Sequence, residues 1–344
     1  MNKTSIGWTD WTWNYPITGC KKIKPECKAC YAFTFAEDKR GQKAFPNGFD
    51  LTARMHKADQ PSRIRTGGLI FCNSMADPGL DDGEFDGDEL VRLRAAGLQD
   101  TDAMRDAFFD AIERAPQHRY QVLTKRPERV LAYLRTRGRR LPQTVWMGVT
   151  IGHHKSLANA EHLKRFRDFG ATVLFVSAEP LLEDLAHPAW TLVATGRPAG
   201  LDTAGIDWLI AGGESGRHAA DLRELQGRFI VRLATKQERK AGALPWMPRA
   251  DGIDRVRHLR DRCASTGTAF FFKQWGGPRP TSAGRLLDGI EHDGLPCHVA
   301  GAMPDGYAER AGNKATAALA RASARKGRVS AVNRVNLPLF EGAC

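Results

Sequence analysis

Three of the chain's seven cysteines, Cys20, Cys27 and Cys30, fall inside one eleven-residue stretch with the spacing Cys-x6-Cys-x2-Cys. Three thiolates on one short loop can converge on a single metal centre. A structural zinc site takes four ligands, commonly as two cysteine pairs, and no second pair follows here. A four-iron cluster normally takes four cysteines, so a triplet leaves one iron open, as a reactive centre requires. Ligand count and spacing therefore favour iron–sulfur over zinc or unligated thiols. Gly19 and Pro25 suit the turns of such a loop. Lys21, Lys22, Lys24 and Lys28 surround the thiols and are expected to favour the thiolate form and offset a cluster's charge. Cys72, Cys263, Cys297 and Cys344 are scattered and read as small hydrophobic or surface thiols. The odd total argues against a disulfide framework.

Further chemistry-bearing residues follow short apolar runs. Asn73, Ser74 and Asp77 come after Leu69–Cys72, and Thr124, Lys125 and Arg126 after Tyr120–Leu123. Thr150 follows Val145–Val149, and Ser177 and Glu179 follow Val173–Val176. Gly213, Glu214 and Ser215 follow Trp208–Ala211, and Lys273 and Gln274 follow Ala269–Phe272. Continuous apolar runs suit strands buried on both faces, as in a parallel sheet. In parallel α/β folds ligands gather at the carboxyl ends of the strands, so these residues point to one shared site. Helix capping and loop hydrogen bonding are the plain alternative, above all for Ser177 and Ser215. Lys125, Arg126 and Lys273 can meet a phosphate or carboxylate of a substrate, or else pair with Asp77, Glu179 and Glu214.

The elements that must position these residues alternate. Helical periodicity runs over 102–114, 126–137, 157–169 and 254–264, and Thr9–Trp13 suggests an earlier strand. Alternating strands and helices imply βαβ units with right-handed crossovers. The expected fold is α/β, a parallel (β/α) barrel, partial or nearly closed, with a doubly wound open sheet as the alternative. The barrel domain spans 1–296, with insertions at 184–205 and 218–250. Residues 297–344 read as a C-terminal extension, a helix candidate at Lys314–Arg325 followed by a basic tail. Residues 77–89 read as an acidic loop; Asp82, Glu84, Asp86 and Gly87 lack the closing Glu of a calcium loop.

Bulk properties narrow the class. The 344-residue chain is 42% hydrophobic, enough for a sizeable core. No run approaches the roughly 18 apolar residues of a membrane span, and the first residues lack the apolar segment of a signal peptide. A cytoplasmic protein is expected, with no membrane partner. The formal net charge of +12 favours a polyanionic partner, DNA or a nucleotide-bearing substrate. Arg135, Arg137, Arg139 and Arg140, with the tail residues Arg321, Arg325, Lys326 and Arg328, could track a phosphate backbone or be solvated helix-end charge. Trp8, Trp11 and Trp13 read as core or site wall.

Ordered blocks across residues 5–296 resemble a phage-associated family related to radical S-adenosylmethionine enzymes. They are Gly7–Asn14 with Thr18-Gly19-Cys20, then Asn73–Asp77, Leu123–Pro127, Trp146–Thr150, Ser177–Leu181, Gly212–Gly216, Phe271–Gly276 and Gly284–Gly289. The six-residue gap after Cys20 is the family's; radical S-adenosylmethionine enzymes at large commonly have three. The family's Leu-Phe-His stretch is replaced by Pro78-Gly79-Leu80.

The resemblance implies a barrel of radical S-adenosylmethionine type, with Cys20, Cys27 and Cys30 on three irons of a [4Fe-4S] cluster and S-adenosyl-L-methionine on the fourth. Asn73, Ser74 or Asp77 would hold its amino group. Thr150 and Glu179 would meet ribose or carboxylate, Gly212 and Gly213 would let the backbone approach the adenine, and Tyr31 would pack on it. The implied activity makes a 5′-deoxyadenosyl radical, with an electron donor of flavodoxin or ferredoxin type, in the host cytoplasm if phage-encoded. The finer expectation is an isomerase that rearranges an amino-acid-derived substituent on thymine in phage DNA. A pyrimidine photoproduct lyase-like repair enzyme and a non-catalytic, metal-stabilised nucleic-acid-binding protein are the alternatives. Oligomeric state is not legible.

Overall fold

The computed structural model describes residues 1–187, 200–216 and 228–310. The helix candidate Lys314–Arg325, the basic tail and parts of both insertions lie outside the described residues. The strands are β1 (Asn2–Lys3), β2 (Trp11–Trp13), β3 (Ile17–Thr18), β4 (Thr52–Ala53), β5 (Leu69–Cys72), β6 (Arg119–Thr124), β7 (Val145–Thr150), β8 (Val173–Ala178), β9 (Trp208–Gly212), β10 (Val231–Leu233), β11 (Trp246–Pro248) and β12 (Ala269–Gln274). The helices are α1 (Tyr31–Glu37), α2 (Gly87–Ala95), α3 (Thr101–Glu113), α4 (Pro127–Arg137), α5 (Asn159–Lys164), α6 (Lys236–Lys240) and α7 (Ala250–Thr266).

Among the described residues the main sheet has the order β1-β2-β5-β6-β7-β8-β9-β12. β1 is antiparallel to β2, and every later neighbour pairs in parallel. Each new strand joins the same edge, so right-handed crossovers place the helices on one face and the sheet curls as a half-barrel. A doubly wound sheet would reverse its order partway, and this one does not. β12 pairs with β9 and not with the first strands, which leaves the arc unclosed.

Strand alternation divides the sheet residues between two cores. Ile70, Val122, Met147, Val149, Leu174, Val176, Leu209 and Phe272 face the helices, packed with Phe108, Phe109, Val130, Leu134, Leu163 and Leu259. Cys72 and Cys263 are wholly buried there as free thiols. Cys297, against expectation, is disulfide-bonded. The concave face carries Leu69, Phe71, Trp146, Val173, Phe175, Trp208, Ile210 and Phe271, joined by Trp8. Trp208 sits at its centre, with ring centroids 5.8 Å from Trp8, 5.9 Å from Trp146 and 5.6 Å from Phe175. Gly148 faces Phe175 across β7 and β8. A β-carbon there would lie 2.2 Å from the Phe175 ring, so glycine is what lets this ring lie flat in the arc.

The concave floor has a cover that the sequence did not announce. Leu295, Val299, Ala302, Met303 and Tyr307 pack onto the same aromatic cluster. Arg119 at the start of β6 donates to the carbonyls of Gly301 (3.0 Å) and Met303 (3.2 Å), and Arg310 donates to Gly67 O at 2.9 Å. The described start of the C-terminal extension is thus a strap from the β12 side to the β5–β6 side.

Residues 77–89 are not simply a loop. Asp81 and Glu84 form one capping box, Asp86 and Glu89 a second, and the second starts α2. Two Asp-x-x-Glu pairs within the acidic stretch are reciprocal caps of two helical turns.

Candidate active site

Cys20 follows β3, Cys27 ends a short 3-10 turn over Pro25–Cys27, and Cys30 precedes α1. All three are free thiols. Gly19 has φ +102°, and a β-carbon there would meet Asp50 O and Phe49 O at 2.7 Å, so only glycine fits this turn. Cys20 and Cys30 pack against one small cluster, Ala32, Ala36 and Phe49.

The cysteine loop lies over the carboxyl ends of the strands because residues there bind it. Glu26 Oε1 accepts from Gly152 N, just after β7, at 2.9 Å. The Pro25 carbonyl accepts from Arg228 at 3.0 Å, and Arg228 forms a two-pronged pair with Glu214, after β9, at 2.7 and 2.8 Å. The Lys21 carbonyl accepts from Arg126, after β6, at 2.9 Å. Lys21 Nζ pairs with the fully buried Glu89 at 2.7 Å. Strands β6, β7 and β9 therefore all hold the loop. Glu26, Arg228 and Glu89 were not singled out from sequence; Glu26 lies between two of the cysteines, the only signal it offered.

Arg126 is 3% exposed. It bonds to Asp77 Oδ2 (3.1 Å) and Glu84 Oε1 (2.7 Å), and one of its nitrogens lies 3.8 Å from Cys20 Sγ. Asp77, also buried, accepts from Gly79 N, Thr124 Oγ1, Lys125 N and Arg126 at 2.6–3.1 Å. These two residues, read from sequence as cofactor and substrate contacts, are fully engaged with each other and their neighbours. They position the loop. Burial pushes the Cys20 thiol up to about 12, Asp77 adding to this and Arg126 opposing it. Of the four lysines around the thiols, Lys21 pairs with Glu89 and Lys22 lies 4.2 Å over the Phe33 ring.

Other strand-end residues divide into engaged and open ones. Lys273 Nζ pairs with Glu179 Oε1 at 2.6 Å, the ion-pair alternative foreseen for it. Ser74 Oγ shares the Asn14 amide at 3.2 and 3.3 Å, and Tyr31 OH donates to Ser74 O at 3.1 Å while the residue stays 55% exposed. A β-carbon on Gly213 would strike Trp275 O at 2.0 Å, so its smallness serves packing against the segment after β12. Gly212 lies beside the Glu179 carboxylate. Ser215 Oγ accepts from Gln274. Asn73 has φ +56°, a conformation that asparagine tolerates better than most residues. Lys125 Nζ has no bonded partner among the described residues, while its backbone N–H donates to Asp77.

Buried polar atoms without partners cluster on this rim: Asn73 Oδ1, Thr150 Oγ1 and Glu26 Oε2, with Gln121 Oε1 and Trp146 Nε1 on the strands below. Buried polar groups are nearly always satisfied, so Asn73, Thr150 and Glu26 each present an atom open to a polar partner. Three free thiols, a guanidinium against one of them and unpartnered acceptors thus lie at the same end of the sheet. Among the described residues, the group of metal-type side chains whose ligand atoms lie within 4.8 Å of one another is His153, His154 and Glu183; the cysteines are outside it.

Two arginines of the basic stretch at the end of α4 are paired with acids. Arg137 pairs with Asp106 at 3.2 Å, and Arg139 with Asp110 and Glu113 at 2.7 and 2.9 Å. No helix among the described residues is long and apolar enough to cross a membrane.

The chain belongs to the family described as "Protein of unknown function (DUF5131)", whose family model matches residues 3–238 and 249–296. The match contains the three cysteines and every strand-end residue named above. No curated protein and no solved structure matches the chain.

Proposed function

For this member of a family without an assigned function, we propose a radical S-adenosylmethionine enzyme that acts on a nucleobase-bearing substrate. Cys20, Cys27 and Cys30 would hold three irons of a [4Fe-4S] cluster. When bound and reduced by a flavodoxin- or ferredoxin-type donor, the cluster would supply the electron that cleaves S-adenosylmethionine to methionine and a hydrogen-abstracting 5′-deoxyadenosyl radical. The observation that carries the reading is the loop itself: a free cysteine triplet held over the carboxyl ends of a parallel half-barrel by Glu26, Arg126 and Arg228.

The chain's own residues then have separable tasks. Arg126 and Asp77 fix Cys20 and place a positive charge beside its sulfur. Asn73, Thr150 and Glu26 offer unsatisfied acceptors to ammonium and hydroxyl groups. Tyr31 offers an exposed ring at the loop's edge, and Lys125 a free ammonium to a phosphate or carboxylate. The aromatic layer on the concave face closes the site from below and keeps water from the reacting atoms. Rearrangement of an amino-acid-derived substituent on thymine in DNA is the finer reading, supported by the family resemblance and the net charge of +12.

Anaerobic reconstitution with iron and sulfide tests this. The wild-type chain is expected to bind about four irons, the number in such a cluster, to turn brown, and after reduction to release 5′-deoxyadenosine from S-adenosylmethionine. Cys20→Ala, Cys27→Ala and Cys30→Ala should each lose all three properties while still folding. Zinc retained in place of iron, with no chromophore, would move the reading to a metal-stabilised binding protein.

A further inference from the structure

A second cluster of ligating side chains lies away from the cysteines. His153 and His154 follow Gly152 at the end of β7, and Glu183 lies in the loop after β8. The two segments are fastened by Leu182 N, which donates to Gly152 O at 2.8 Å. Glu183 faces both imidazoles: His153 Nε2 is 3.1 Å from Oε1, and His154 Nδ1 is 2.8 Å from Oε2. The His154 amide also donates to Oε2 at 2.9 Å. The rings are 4.2 Å apart. No lysine or arginine among the described residues forms an ion pair with this carboxylate.

We propose that His153, His154 and Glu183 bind a divalent transition-metal ion of the zinc class. One ligand atom from each lies within 4.8 Å of the others, and an ion about 2.0–2.2 Å from each would draw them only slightly closer. Two imidazoles and a carboxylate suit zinc, cobalt or ferrous iron and not magnesium or calcium, which take oxygen ligands. Three protein ligands leave a coordination position open. His154 and Glu183 line a cavity of about 630 Å³ that also presents Asp184, His187 and His258. Asp184 and His258, paired with each other at 2.7 Å, stand in the same cavity. Coordination through His153 Nε2 places the ring proton on Nδ1, so the 3.2 Å bond that Nδ1 now accepts from Lys155 N is given up on loading. The site does not depend on the cysteine reading.

Cobalt(II) titration of the full chain, unmodified and with Cys20→Ser, Cys27→Ser and Cys30→Ser combined, tests the proposal. Thiolate-bound cobalt has an intense near-ultraviolet charge-transfer band; cobalt on nitrogen and oxygen shows weaker visible bands alone. One equivalent of the second kind is expected in both backgrounds. His154→Gln, at a side chain 58% exposed, and Glu183→Gln should each weaken it by at least about tenfold, a loss that even outer-shell changes reach. Thiolate-type cobalt alone, no binding in either background, or unchanged binding in a folded His154→Gln chain would overturn it.

Discussion

Asp77 and Arg126 show how one buried pair can hold a cysteine loop against the ends of the strands. Breaking a buried pair from one side leaves an uncompensated charge and costs about 3–5 kcal/mol. Asp77→Asn should therefore lower stability by about 3 kcal/mol in urea denaturation. Asp77→Asn combined with Arg126→Met should recover part of that loss, because the stranded guanidinium goes with it. Neither chain should reconstitute a cluster as fully as wild type: Asp77→Asn loosens Arg126, and Arg126→Met removes the anchor of Lys21 O and Cys20. From sequence these two residues were legible as members of the site, but not as its scaffold. The strand-end rule locates a side chain at the rim and says nothing of which neighbour uses it up. Only folding brings Asp77, two residues past Met75, against Thr124, Lys125 and Arg126.

At the scale of elements, the parallel strands were readable because each is a continuous apolar run. The expected runs fall inside the observed strands, and Thr9–Trp13 proves to hold β2. α2 was missed because its start lies in an acidic, glycine-containing stretch, and an Asp-x-x-Glu box reads equally as loop. Strand order, which sequence could not give, decides between half-barrel and doubly wound sheet. Gly148 tests the concave packing. Gly148→Ala should cost about 2 kcal/mol, within the range for overpacking a filled core, seen as a lowered thermal midpoint. Adding Phe175→Leu should restore part of it, since the clash is with that ring.

For the whole molecule, acid sensitivity has an identifiable source at the base of the sheet. His118 is fully buried; it accepts from Gly68 N at 3.2 Å and donates to Pro61 O at 3.0 Å. Burial lowers its pKa below the ordinary 6.5, opposed by its backbone bonds. The unfolded chain then binds the proton more readily than the folded one. Stability from this group is complete above pH 6.5 and is lost as pH falls through that value towards the folded pKa. The urea midpoint should decline from pH 7 to pH 5, and His118→Gln should flatten the decline. The strap that completes this base was illegible in sequence. Leu295, Val299, Ala302, Met303 and Tyr307 keep a helix-like spacing, but Pro296, Gly301, Pro304 and Gly306 interrupt it, so the segment reads as loop and not as core.

That strap is also the last described segment to be made. Residues 295–307 leave the ribosome after every strand they cover. The convex face can close early, strand upon helix, as each βα unit emerges. Trp8, Trp146 and Trp208 have no such companion until residues 295–307 emerge, so until then the nascent chain carries an uncovered aromatic surface, the kind of surface that chaperones are needed to shield.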